Sequence, residues 1–125
     1  MLADYMVAPT LPVVDLERAI KFYEEKLGLK VAQRDPSPGA MLQCGKGTML
    51  YLYQRGASKA DHTVAAWNID DIEAVVKGLR AKGVAFEEYD MPGLKTVNSI
   101  ATFAPNMKSA WFKDTEGNIL AVSQM

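Results

Sequence analysis

Hydrophobic residues recur at helical spacing in two segments of the chain. The first stripe consists of Leu16, Ile20, Tyr23 and Leu27, and the second of Ile72, Val75, Val76 and Leu79. A stripe on one side of a segment predicts an amphipathic helix that buries that side. We therefore expect two helices, each of which packs on a sheet.

Polar residues and glycines mark where these helices should begin and end. Asp15 is placed to accept the free N–H groups of the first turn, and Gly28 can adopt the left-handed conformation that ends the first helix. Before the second helix, Asp70 and Glu73 have the spacing of a capping box, and Gly83 supplies the same end signal. We therefore expect one helix between Asp15 and Gly28 and the other between Asp70 and Gly83.

Apolar segments bounded by turn residues predict the strands. These segments are 11–14, 29–31, 40–44, 48–53, 66–69, 84–86, 109–113 and 119–124. The sequence Gly-Lys-Gly at residues 45–47 predicts a hairpin turn, and residues 114–118 contain a Gly and an Asn that suit positive φ. Residues 91–108 lack clear periodicity, so they form either a functional or mobile loop or an insertion with a strand at 99–103.

The two halves of the chain resemble each other. Superposing them places Asp15 on Asp71, Glu17 on Glu73 and Lys21 on Lys77. Each half contains a strand, a helix and three further strands. The sequence thus predicts an α+β fold in one domain, residues 1–125, with a βαβββ module at about 6–55 and another at about 61–125.

Composition narrows the classes of function. The chain has 125 residues, of which 49% are hydrophobic, and its 14 basic and 15 acidic residues give a net charge of -1. This balance does not favour nucleic acid or an anionic membrane as a partner. The single cysteine, Cys44, lies in an apolar segment, so we expect a buried thiol and a cytoplasmic protein.

Several of these segments resemble the vicinal-oxygen-chelate superfamily of glyoxalases, bleomycin-resistance proteins and extradiol dioxygenases. The resemblance lies in residues 11–17 (LPVVDLE), 22–23, 27–29 and 111–120. It implies paired βαβββ modules that form a curved mixed sheet, with the helices on the outer face and the ligand on the concave face. It also implies a homodimer, but it leaves the reaction open because this fold serves many activities.

The resemblance also locates the positions at which metal-dependent members hold a divalent ion. In this chain they correspond to Ala8, Tyr51, Val64 and Ala121. Alanine and valine offer no lone pair, and a neutral phenol is a poor ligand. His62 is the only histidine, so a two-histidine iron site cannot form in one copy. We expect no metal and no cofactor.

Strand alternation and the family pattern together predict a cleft with an aromatic, mostly apolar lining. The predicted ligand-binding residues are Met49, Tyr51, Tyr53, His62, Trp111 and Ile119, with Ala8 beside them. Such a lining suits a planar or amphipathic organic molecule. Alternatively, the aromatic side chains fill the concavity or form a subunit interface, and His62 is a solvent-exposed residue at the start of a strand.

Three hypotheses follow for the function. The first is a metal-free binding protein, a homodimer that holds a small hydrophobic or aromatic molecule. The second is an enzyme of the glyoxalase or dioxygenase type, with misplaced metal ligands (His62, Asp114 or Glu116) or with metal-free acid–base chemistry by His62 and Tyr51. The third is a scaffold whose concavity is occupied by its own side chains.

Overall fold

The computed structural model describes all 125 residues, which form two compact units. Unit one contains residues 1–59 together with Thr115–Gly117, and unit two contains Ala60–Asp114 and Asn118–Met125. The boundary between the units lies near residue 60. The short turn at residues 115–117 is the exception, because it groups with the first half of the chain.

Unit one is a four-stranded mixed sheet with one helix. Its elements are β1 (Thr10–Val13), α1 (Leu16–Glu25), β2 (Lys30–Asp35), β3 (Gly39–Gln43) and β4 (Met49–Gln54), after a short 3₁₀ turn at Leu2–Asp4. The strand order is β1-β4-β3-β2, with β1 parallel to β4 and the other pairs antiparallel. Helix α1 packs on β2, β3 and β4.

The core of unit one lies between α1 and the sheet. Buried positions on the helix are Leu16, Ala19, Ile20 and Tyr23, and those on the strands are Leu11, Val13, Ala40, Leu42, Leu50 and Leu52. The apolar stripe predicted for the first helix is therefore confirmed, apart from Leu27, which is only half-buried. Because alternate strand residues point to opposite faces, Met49, Tyr51 and Tyr53 lie half-buried on the other face of β4.

Unit two repeats this arrangement with more strands. Its elements are β5 (Thr63–Asn68), α2 (Ile72–Ala81), β6 (Asp90–Met91), β7 (Leu94–Val97), β8 (Ile100–Ala104), β9 (Met107–Lys113) and β10 (Ile119–Gln124). The strand order is β5-β10-β9-β8-β7-β6, and its first four strands follow the pattern of unit one, with β5 parallel to β10. The predicted α+β class with two related modules is confirmed. No helix has the length and apolar character needed to cross a membrane.

Residues 84–108 differ most from the expected pattern. The strand predicted at 84–86 is wrong, because only an isolated bridge joins Phe86 to Phe112 there. The aperiodic stretch contains the hairpin β6–β7 and then β8, so the alternative of a strand at 99–103 is confirmed. Strands of two and four residues are too short to show alternation, which explains why the sequence pattern did not predict β6 and β7.

The helices begin at matching aspartates. The carboxylate of Asp15 accepts from the N–H of Arg18 at 3.1 Å, as predicted. In α2, however, Asp71 is the cap and accepts from Ala74 N–H at 3.2 Å, so the prediction of a capping box at Asp70 is wrong by one residue. The correct position is the one that the repeat indicates, since Asp71 aligns with Asp15. Both end signals are confirmed, because Gly28 (φ 74°) and Gly83 (φ 92°) adopt positive φ.

A glutamine at the end of the last strand supports each helix. Gln54 accepts the N–H of Leu16 at 3.0 Å, and Gln124 accepts the N–H of Ile72 at 2.9 Å. These N–H groups have no partner inside their own helices. The two units therefore share a connection from the last strand to the first helical turn, which the repeat in the sequence did not reveal.

The corrected cap can be tested by a matched pair of substitutions. Asp71→Ala should lower the free energy of unfolding by about 1 kcal/mol, because a cap hydrogen bond is lost. Asp70→Ala, one residue earlier and also exposed, should change it by less than about 0.5 kcal/mol. Urea unfolding followed by circular dichroism measures both. Equal losses in the two variants would contradict the assignment of Asp71 as the cap.

Candidate functional site

A cavity of about 340 Å³ lies on one face of the sheet in unit two. It is lined by Asp61, His62, Thr63, Tyr89, Met91, Leu94, Trp111 and Ile119. Most of this lining is apolar or aromatic, and neither lysine nor arginine takes part. The volume falls at the lower end of the range of about 300–1,000 Å³ that is typical of small-molecule pockets.

Trp111 forms the fixed wall of this cavity. Its indole Nε1–H donates to Thr63 Oγ1 at 3.1 Å. The ring of Tyr89 meets it edge to face, with 5.5 Å between centroids and 84° between planes. Because the only donor of the indole is satisfied and the ring is in contact with Tyr89, the orientation of the ring is set before any ligand arrives.

Tyr89 reaches the cavity from the segment that follows α2. The Glu87 N–H donates to the carbonyl of Trp111 at 2.8 Å, and the Thr96 N–H donates to the carbonyl of Tyr89 at 2.9 Å. Burial, and then the negative charge of Glu87, raises the pKa of the Tyr89 phenol. Tyr89 therefore remains a neutral hydroxyl at physiological pH.

Thr63 enters the cavity because strand β5 contains an irregularity. Ile119 of β10 pairs with Thr63, whereas the next residue, Leu120, pairs with Ala65. The register shift interrupts the strict alternation that the sequence predicted through His62 and Val64. As a result, Thr63 can accept the hydrogen bond from the indole of Trp111 on β9, across the intervening strand β10.

His62 lies in the lining of the cavity with most of its side chain in solvent. The side chain is 72% exposed, and its Nδ1 is 3.7 Å from Asp61 Oδ1, which is too long for a hydrogen bond. His62 thus lies at the rim of the cavity, immediately before β5, and its contact with a ligand remains a prediction.

The predicted aromatic residues of unit one lie together on the face of β4 opposite the core. The rings of Tyr51 and Tyr53 are nearly parallel, 9° apart, with 6.4 Å between centroids. The Tyr51 hydroxyl donates to Asp35 Oδ2 at 2.7 Å. Hydrogen bonds from Ser37, and then from Tyr51, lower the pKa of Asp35. The hydroxyl is therefore engaged, and any acid–base role for Tyr51 requires that this bond be given up.

Gly39 makes room for this arrangement. A Cβ atom at Gly39 would collide with the ring and hydroxyl of Tyr51 and would lie 3.0 Å from Asp35 Oδ2. Gly39 lies on β3, next to the strand of the tyrosine, and Asp35 lies on β2, one strand further along the sheet. The sequence analysis found the tyrosine but not these two neighbours, because their relation depends on strand pairing.

The residues present do not fit the metal of the family. No group of three or more His, Cys, Asp or Glu side chains is placed to hold an ion. Of the four positions that the resemblance indicated, only Tyr51 has an oxygen in its side chain, and that oxygen donates to Asp35. The absence of a cofactor remains a prediction.

Asp114 and Glu116, considered above as possible ligands, have structural partners. Asp114 Oδ1 accepts the backbone N–H of Asn118 at 2.9 Å, as expected of an aspartate in a tight turn. Glu116 has a fully buried side chain that receives the Nε–H of Arg18 at 2.8 Å. Its other oxygen accepts the N–H groups of Val14 and Asp15, each at 2.9 Å.

These contacts control the charge of Glu116. Burial alone would raise its pKa, but hydrogen bonds from Arg18, Thr115 and the Asp15 amide lower it to about 2. The carboxylate is therefore ionised at all physiological pH values, and its oxygens accept hydrogen bonds from residues at the start of α1. Glu116 could bind a metal only by giving up these hydrogen bonds. The structure is therefore inconsistent with the alternative that Glu116 is a metal ligand.

Sequence and fold together identify the class. Residues 4–122 match the Glyoxalase/Bleomycin resistance protein/Dioxygenase superfamily, and the chain belongs to this family. The resemblance seen in the sequence motifs is thereby confirmed. No match was found among curated proteins by sequence.

Solved structures similar to this chain include binding proteins and resistance proteins. UcmS2 is 20% identical with a TM-score of 0.72, and the match covers 97% of this chain and 99% of that one. TnmS3, an antibiotic binding protein from Streptomyces sp. CB03234, is 23% identical (TM-score 0.68; 96% of each chain). The fosfomycin resistance protein FosX from Listeria monocytogenes is 13% identical (TM-score 0.72; 95% of this chain and 91% of that one). At such identities the likeness shows the fold alone.

Proposed function

We propose that this chain is a metal-free binding protein that holds a small hydrophobic or aromatic molecule. The observation that carries the proposal is the cavity of about 340 Å³ walled by Trp111 and Tyr89. A pre-oriented aromatic wall binds a planar ligand at a small entropic cost. The antibiotic-binding relative TnmS3 supports this proposal by analogy.

The chemistry of the lining indicates the kind of ligand. The indole N–H is already bonded to Thr63, so the ring offers its face rather than a donor. Met91, Leu94 and Ile119 add apolar contact area. With no lysine or arginine in the lining, an uncharged planar molecule fits better than an anion. Met49, Tyr51 and Tyr53 remain predicted ligand contacts.

Removal of the aromatic wall tests the proposal. We expect saturable binding of the uncharged fluorophore N-phenyl-1-naphthylamine, followed by its fluorescence increase. Trp111→Ala should weaken the affinity about tenfold or more, because stacking and apolar burial together contribute roughly 1.5–3 kcal/mol. Trp67→Phe is the matched control, because Trp67 pairs with Val122 on the buried face of the sheet and should leave the affinity unchanged.

Two results would contradict the proposed function. One is the absence of saturable binding across a panel of planar uncharged molecules. The other is binding that Trp111→Ala leaves intact while the variant remains folded by circular dichroism. Either result would favour the scaffold hypothesis or a site elsewhere on the chain.

The proposed absence of a metal has its own measurement. Protein purified without a chelator or a histidine tag should contain far less than one metal ion per chain by elemental analysis. Addition of nickel, zinc, manganese or iron should leave the melting temperature unchanged, because binding to the native state alone would raise it. Near-stoichiometric metal, or a clear thermal shift, would contradict the metal-free proposal.

The alternative of an enzyme rests on one observation, the position of His62 in the cavity lining. An imidazole at the rim can act as a general base toward a bound molecule. In that case His62→Ala would abolish turnover while preserving binding of the same molecule. A fully active His62→Ala variant would remove this alternative.

We also propose that the protein is a homodimer located in the cytoplasm. Large apolar side chains at the N-terminus are strongly exposed in the single chain: Met1, Leu2, Tyr5, Met6 and Val7. Exposed apolar side chains of this kind favour association. Light scattering coupled to size-exclusion chromatography measures the mass, and a monomer at micromolar concentration would contradict the proposal.

A further inference from the structure

A second cavity, of about 410 Å³, lies in unit two beside α2. It is lined by Glu73, Lys95, Val97, Asn98, Ile100, Thr102 and Lys108. None of these residues lines the aromatic cavity. The proposed function makes no use of this second site.

Strand alternation places the two cavities on opposite faces of one sheet. In β7, Leu94 lines the aromatic cavity and Lys95 lines the second. In β9, Trp111 lines the aromatic cavity, and Lys108 lines the second. Helix α2 packs on β9 and β10 and leaves the part of this face formed by β7 and β8 open, so Val97 is 66% exposed.

Cationic groups dominate the second cavity. Lys108 is only 25% exposed, and its Nζ lies 3.1 Å from Glu73 Oε1. Lys95 faces the same space, and no ion pair joins it to Asp90, its neighbour on β6. The lining therefore contains two ammonium groups and one carboxylate, over a floor formed by Val97 and Ile100.

The wall of the cavity at the β7–β8 turn is held rigidly. Asn98 and Ser99 adopt φ of 52° and 71°, which non-glycine residues rarely do. Arg80 of α2 donates to the Asn98 carbonyl at 3.1 Å, and the hydroxyl of Ser99, 1% exposed, donates to Glu88 Oε2 at 2.6 Å. A turn fixed in this way keeps the cavity open before a ligand enters.

We propose that this cavity is a second binding site that accepts a small amphipathic carboxylate. The carboxylate would lie between Lys95 and Lys108 and replace Glu73 as the partner of Lys108. The apolar part of the ligand would cover Val97 and Ile100, and Thr102, which pairs with Lys108, offers a hydroxyl donor near the charged end. The two sites then select by charge: an uncharged planar molecule on one face and an anion on the other.

Titration with benzoate, followed by two-dimensional NMR of the backbone amides, tests this site. We expect saturable shifts at residues 95–102 and 108, and weaker shifts with benzyl alcohol, which has the same ring without the charge. Lys95→Gln should weaken the affinity for benzoate about fivefold, because one charge-assisted contact is lost. Lys77→Gln, an exposed α2 substitution outside the lining, is the control and should have no effect.

Three outcomes would overturn the inference. They are the absence of saturable shifts at these amides, equal binding of benzoate and benzyl alcohol, and unchanged benzoate affinity in folded Lys95→Gln. None of them bears on N-phenyl-1-naphthylamine binding at Trp111, which is measured separately. Failure of the second site and failure of the proposed function are therefore distinguishable.

Discussion

Replacing Glu116 with alanine is expected to lower the free energy of unfolding by about 3–5 kcal/mol, one of the two largest effects predicted for this chain. The buried carboxylate accepts from the N–H groups of Val14 and Asp15 and from the guanidinium of Arg18. Its loss would leave the two N–H groups and a half-exposed cation without their acceptor. Urea denaturation followed by circular dichroism measures the difference.

The dependence of stability on acid pH distinguishes the effect of the Glu116 charge from the effect of its side-chain shape. With a pKa of about 2 in the folded chain against 4.5 for a free glutamate, this group contributes stability that is complete above pH 4.5. The contribution declines as the pH falls toward 2. Glu116→Gln keeps an oxygen acceptor but lacks the charge, so its stability should depend less on pH in this interval. An unchanged acid dependence in that variant would contradict the assigned role.

Phe112→Ala should also destabilise the protein by about 3–5 kcal/mol, and it should affect ligand binding as well. The ring is fully buried and meets Phe86 at 5.4 Å between centroids. The β-bridge between these two residues positions the segment that contains Tyr89, which lines the cavity. We therefore expect weaker binding of N-phenyl-1-naphthylamine by this variant at temperatures where it remains folded.

Phe103→Ala provides the matched control. Phe103 lies on neighbouring strand β8 and is 52% exposed, so its removal should cost less than about 1 kcal/mol and leave ligand affinity unchanged. If both phenylalanine variants lost the same stability, the placement of the core beneath Trp111 would be wrong. If Phe112→Ala bound the fluorophore as tightly as the wild type, Tyr89 would not depend on this support.

The fold was predictable where local signals were strong and repeated. The apolar stripes of both helices, together with Gly28 and Gly83, located each helix to within a few residues. The error at Asp70 shows the limit of such signals, because two adjacent aspartates both resemble a cap. The repeat resolves the choice, because Asp71, and not Asp70, aligns with the cap Asp15 of the first helix.

The candidate site was predictable only in part, for a related reason. Trp111, Ile119 and His62 lie in one cavity, as alternation in regular strands and the family pattern suggested. Tyr89, Met91 and Leu94 were missed, since they come from a segment whose strands are too short to show a period. Thr63 was missed because a register shift cannot be read from one strand alone.

The turn at Thr115–Gly117 has a consequence for how the protein is made. The first 59 residues contain a complete set of βαβββ elements, yet the carboxylate that holds the N–H groups before α1 is encoded at position 116. At ribosomal rates of about 5–20 residues per second, residue 116 is added roughly three to eleven seconds after residue 59. During that interval the N–H groups of Val14 and Asp15 lack the carboxylate that accepts their hydrogen bonds in the folded protein. The start of α1 can therefore gain its complete set of hydrogen bonds only when nearly the whole chain has been synthesised.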